Sequence, residues 1–87
     1  MSGDVVRDGE GFVVAAEVIG AALLVAAAEV PGLLREGRIK VGQEEGVGED
    51  EGRWRLSFTL GQRRLRLVVD DDGAVLTRSV VDFGTIR

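Results

Sequence analysis

The residues that could do chemistry in this chain are few. There is no His, Cys or Tyr, which removes disulfides, thiol redox chemistry, His- or Cys-ligated zinc and general acid–base catalysis by those three side chains. The nucleophile candidates are Ser57, Ser79, Lys40 and a few threonines, and none has a recognisable activating partner in the sequence. Ser79, placed on the core side of its strand, is the best of them, but a small polar residue bonded to backbone is the commoner role. The residues imply no enzyme and no cofactor.

Carboxylates cluster at Glu44-Glu45, Glu49-Asp50-Glu51 and Asp70-Asp71-Asp72. Oxygen ligands of this kind suit Mg²⁺ or Ca²⁺, but the alternate-residue spacing of a calcium loop is missing, so they read as solvated turn acids and no metal is expected. The glycine-rich stretch 42–52 lacks the Lys-Ser/Thr of a phosphate loop, and its five acids would repel phosphate. The cations are the more informative group. Arg55, Arg64, Arg66 and Arg78 are read as one outward-facing set with Val68, Leu76 and Val80 among them, a surface suited to an acidic, partly apolar partner.

Those arginines depend on a hairpin for their position. Trp54, Leu56, Phe58 and Leu60 alternate with Arg53, Arg55, Ser57 and Thr59, and Leu65, Leu67 and Val69 continue the alternation after Gly61-Gln62. A two-residue turn with glycine first sets Leu60 opposite Arg63. Phe58 then faces Leu65, Leu56 faces Leu67, Trp54 faces Val69 and Arg53 faces Asp70. A slip of one residue would expose the whole apolar row.

Strands are expected at 38–43, 52–60, 63–70 and 74–82, with a flexible acidic loop at 42–52. For the last turn, a three-residue loop with Gly73 left-handed buries Val75, Val81 and Phe83, with Thr77 and Ser79 between them; it also sets Arg66 across from Arg78. The alternative Asp72-Gly73 two-residue turn would bury Arg78 and Asp82, which is costly without compensation. Upstream, Val18, Ala22 and Val25 share a face with Ile19 and Leu23. One helix to Val30 is conceivable; two shorter ones, 15–23 and 27–36, fit better, with Pro31 in a first turn and Gly37 ending the second. Val5-Val6 and Phe12-Val13-Val14 flank an Asp8-Gly9 turn, giving a short strand or small hairpin. The expected architecture is α+β: a four-stranded antiparallel meander with two short N-terminal helices on one face and room for an extra N-terminal edge strand. The 87 residues make a single domain, 1–87, with 1–3 and 84–87 as frayed ends.

The net charge of −4 argues against free nucleic acid as the main partner. It is unevenly spread: residues 1–52 hold 4 basic and 11 acidic groups, residues 53–87 hold 7 and 4. The longest apolar run, Val18 to Ala28, is too short to span a bilayer, and the acids before it are wrong for a signal peptide. The chain is read as cytoplasmic, with no membrane.

The segments GEDEGRWRLSF (48–58), RLVVD (66–70), Ser79 with Asp82-Phe83-Gly84, and Gly37-Arg38-Ile39 after the helices resemble a family of short bacterial proteins of unknown function. The resemblance covers the chain from about Val14 and implies no activity, ligand or catalytic residue. Leu24-Val25-Ala26 departs from it, where a more polar interhelical turn is expected.

The sequence therefore points to a non-enzymatic protein-interaction or homodimerisation module using the Arg-rich outer face, its partner an acidic protein or a second copy. Residues 15–39 also faintly resemble a helix-turn-helix with a wing, but Arg35 alone, against Glu29 and Glu36, is poor chemistry for DNA. Small-anion binding at the arginine cluster is a third reading.

Overall fold

The computed structural model describes residues 4–9 and 11–84. The frayed ends expected at 1–3 and 85–87 therefore lie outside the described residues, whereas Gly84 lies in a turn. The chain opens with a hairpin, β1 (Val5–Asp8) and β2 (Gly11–Val14). Helix α1 (Ala16–Leu23) follows, then a 3-10 turn (Ala27–Glu29) that runs into α2 (Val30–Arg35). Four strands complete the chain: β3 (Ile39–Glu45), β4 (Arg53–Leu60), β5 (Arg63–Asp70) and β6 (Val75–Asp82). They form an antiparallel sheet in the order β3-β4-β5-β6, so the architecture is α+β with a meander.

The central hairpin has the expected register throughout, with Leu60 paired to Arg63, Phe58 to Leu65, Leu56 to Leu67, Trp54 to Val69 and Arg53 to Asp70. Gly61 turns it at φ 58°. Leu56, Phe58, Leu65, Leu67 and Val69 are buried together with Val18, Ile19, Ala22, Leu23 and Val30 from the helical segment. The helices thus cover the inner face of the sheet, and α1 lies against β4 and β5. Gly20 is where the helical layer closes up. A Cβ on it would lie 2.6 Å from the Val25 carbonyl oxygen, so the chain can double back over α1 only with glycine there. No single helix among the described residues is long and apolar enough to cross a membrane, and the α1 and 27–35 segments are bent by 106° to each other.

Three expectations need correction. The N-terminal strands do not add to an edge of the main sheet; they pair with each other as a separate two-stranded sheet that seals the core with Val5. Residues 42–45 are not loop, because β3 continues through Glu45, pairing Glu44 with Arg55 and Glu45 with Trp54. Acids can extend the strand because this end of β4 offers an arginine opposite them.

The third correction concerns β6. The last turn is the three-residue loop: the Asp70 and Ala74 backbones bond, and Gly73 has φ 93°. Val75 pairs with Val69 as expected, but the next pair is Val68 with Thr77, leaving Leu76 as an unpaired bulge. That extra residue inverts the rest of the strand. Arg78, Val80 and Asp82 lie across from Leu67, Leu65 and Arg63, on the inner side, whereas Thr77, Ser79 and Val81 face out. The cost of turning charges inward is avoided because β6 lies beyond the helical cover. Arg78 stays exposed, and Asp82 meets Arg63, whose Nη1 is 3.1 Å from its Oδ2.

Candidate interaction surface

The side of the sheet away from the helices carries three rows that run across all four strands, each contributed by the alternation of its strand. Running from the open end of the hairpin toward its tip, Glu44, Arg55, Val68 and Thr77 form the first row, and Gly42, Ser57, Arg66 and Ser79 the second. Lys40, Thr59, Arg64 and Val81 form the third. Phe83, just past β6, joins the tip end: the Arg64 guanidinium lies 5.2 Å from its ring centroid.

The two ends of this face differ in charge. At the open end the arginines are neutralised. Arg55 Nη1 donates to Glu44 Oε1 at 3.2 Å, and Arg53 lies 3.8 Å from Asp50. The segment after β3, with a 3-10 turn at Gly48–Asp50, curls beside them. Gly46, Val47 and Asp50 wall a shallow cleft of about 740 Å³ floored by Val68 and Thr77. Toward the tip the balance is basic. Arg64 Nε donates to Thr59 Oγ1 at 3.1 Å, a neutral acceptor, and Arg66 is exposed. A smaller hollow of about 180 Å³ between them is lined by Arg64, Arg66, Ser79, Val81 and Phe83.

Of the four arginines expected to form one set, the structure brings Arg55, Arg64 and Arg66 onto the outer face and moves Arg78 off it. Arg66 therefore faces Ser79 and not a second cation, which removes the like-charge clash the expected register carried. Ser79 correspondingly leaves the core side and lies exposed beside Arg66. Among the described residues no three carboxylates converge as a metal site would require. Helix α2 has six residues and Arg35 as its one basic group.

A second cluster was not foreseen. Arg7 of β1 lies 4.9 Å from the Phe12 ring centroid and 5.0 Å from that of Trp54, and the two rings meet edge to face at 5.4 Å. Trp54 Nε1 donates to Asp71 Oδ1 at 2.8 Å, and Arg7 Nη1 donates to the Asp71 carbonyl at 3.1 Å. The cluster rivets the N-terminal hairpin to the β5–β6 turn. The only signal for it in the sequence is the pairing of aromatic and Arg residues at 7, 12 and 54, and these positions are too far apart for local pattern to connect.

Searches of curated proteins and of solved structures returned no match for the chain. The family of unknown function DUF6522 matches it over residues 1–87, in keeping with the resemblance to a family of unknown function read from the sequence. The chain belongs to the DUF6522 family.

Proposed function

We propose that this domain is a non-enzymatic binding module that takes an acidic protein surface on the tip half of its outer sheet face. The observation that carries this reading is the contrast between the two ends. Arg53 and Arg55 have carboxylates of their own, whereas Arg64 is held by a hydroxyl and Arg66 meets no acid among the described residues. Arginine in such a setting is available for bidentate pairing with carboxylates. Phe83, Val81 and Val68 beside it supply apolar contact, the mixture that protein interfaces favour. A homodimer built on this same face is less well supported, because Glu44 and Asp50 of the acidic segment are already engaged by the chain's own Arg55 and Arg53.

The test is affinity capture from the native cell with the full chain, run in parallel with R64E/R66E. The double reversal is expected to remove a specific acidic protein from the wild-type set, and that protein should release as salt is raised through about 0.3 M. An unchanged set with the reversed chain would rule the face out. Thermal shifts with phosphate and sulfate separate a small-anion site from a protein site, because only the former would stabilise the chain at low millimolar anion.

A further inference from the structure

Strand β6 is the free edge of the sheet beside β5, eight residues long. Val75, Leu76, Val80 and Val81 are 37–48% exposed, and the strand contains no proline and no lysine. Its backbone has a defined free side. The Phe83 amide donates to the Gln62 carbonyl at 2.6 Å, so by alternation the odd-numbered residues Ser79 and Val81 turn their amides toward β5. Arg78, Val80 and Asp82 then present theirs outward, with no backbone partner among the described residues.

We propose that two copies of the chain join antiparallel along this edge, about a two-fold axis at Val80, making one continuous eight-stranded sheet. Charge chooses the register. The sequence Arg78-Ser79-Val80-Val81-Asp82 is complementary to itself when reversed, so Val80 meets Val80, Ser79 meets Val81, and Arg78 meets Asp82 twice. All these pairs match in hydrogen-bonding parity. Moving the axis to Ser79 sets Arg78 against Val80, and moving it to Arg78 sets arginine against arginine. An inward charge on an edge strand ordinarily guards it against pairing; here the strand carries the complement four residues on. Asp82 can accept the added guanidinium although Oδ2 faces Arg63 and Oδ1 accepts from the Gly84 amide, because a carboxylate offers about four lone-pair sites. Arg78 meets no acid among the described residues of its own chain. The join also places the β5 strands of the two copies about 14 Å apart, so Arg64 and Arg66 of both copies would share one face.

Edge pairing of short strands buries little area, so the dimer belongs to the weak class and is measured by sedimentation of the full chain from about 5 to about 500 µM. The wild type is expected to move from monomer to dimer across that range. R78E, at an exposed position, sets Glu against Asp82 and should raise the dimer Kd about tenfold; V80P removes the central outward amide and should leave a folded monomer. Isotope-filtered NMR on a mixed sample should show Ser79 Hα close to Val81 Hα of the other copy, the tight non-hydrogen-bonded pair. A wild type that stays monomeric to the top of the range, or a dimer that R78E leaves unchanged, overturns the proposal. R64E/R66E should leave this dimer intact, so failure here and failure of the acidic-partner reading are told apart.

Discussion

Leu24 is the one non-glycine residue among those described with positive φ, at 64°. It is the left-handed residue that ends α1, letting the Val25 amide reach the Gly20 carbonyl at 2.9 Å. A leucine there sets its Cβ against the following carbonyl, at about 1–2 kcal/mol, and its side chain recovers little because it is 70% exposed. Glycine is the usual residue at this point of a helix. Leu24→Gly should therefore stabilise the chain by about 0.5–1 kcal/mol, the steric relief exceeding the added entropy of the unfolded glycine. Urea unfolding followed by circular dichroism would show it as a higher midpoint with unchanged slope; a lower midpoint would mean that the Leu24 side chain packs usefully.

The N-terminal hairpin is held by side chains at its far end. Arg7 stacks on Phe12 and Trp54 and donates to the Asp71 carbonyl, and the chain passes close over Gly73, where a Cβ would come within 3.2 Å of the Val5 carbonyl oxygen. Removing Arg7 with alanine should cost about 1–2 kcal/mol, from two partly exposed cation–π contacts and a hydrogen bond. The chain has a single Trp, so the loss is readable as a change in Trp54 fluorescence with faster amide exchange in β1 and β2; unchanged exchange there would show that backbone contacts alone hold the hairpin. This element also marks how far the sequence could be read. The β4–β5 register was legible because alternation and turn chemistry impose the same pairing. The 71–73 loop forms as expected, but not because it keeps Arg78 and Asp82 off the inner face, where both lie, and a left-handed Gly73 suits the two-residue turn equally well. The β6 facing was not legible, since Val75-Leu76-Thr77 are all good strand formers and nothing in them marks the bulged residue. Arg78 was misplaced for that reason alone. Where the hairpin would dock depends on contacts between residues 7, 12, 54 and 71, which no local pattern contains.

At the scale of the molecule, the described residues cover the sheet on its inner side, and the cover is assembled from separated parts of the chain. Val5 from the hairpin lies in the same buried cluster as Ile19 and Leu23 of α1, Val30 of α2 and Leu65 and Val69 of β5. A chain this short buries a modest share of its surface, so each contributor should be coupled to the rest. Val5 is 6% exposed, and Val5→Ala should cost about 2 kcal/mol from lost transfer energy and the cavity left behind. If the hairpin belongs to one cooperative unit, the whole transition moves. In thermal unfolding, far-ultraviolet dichroism and Trp54 fluorescence should remain coincident and fall together by about 10 °C. If the hairpin were an appended arm, Trp54 would report an early step while the dichroism of helices and sheet stayed in place. Coincidence is the expected result, because Val5 contacts the same core that fixes α1 on the sheet, and the loss of either exposes the other.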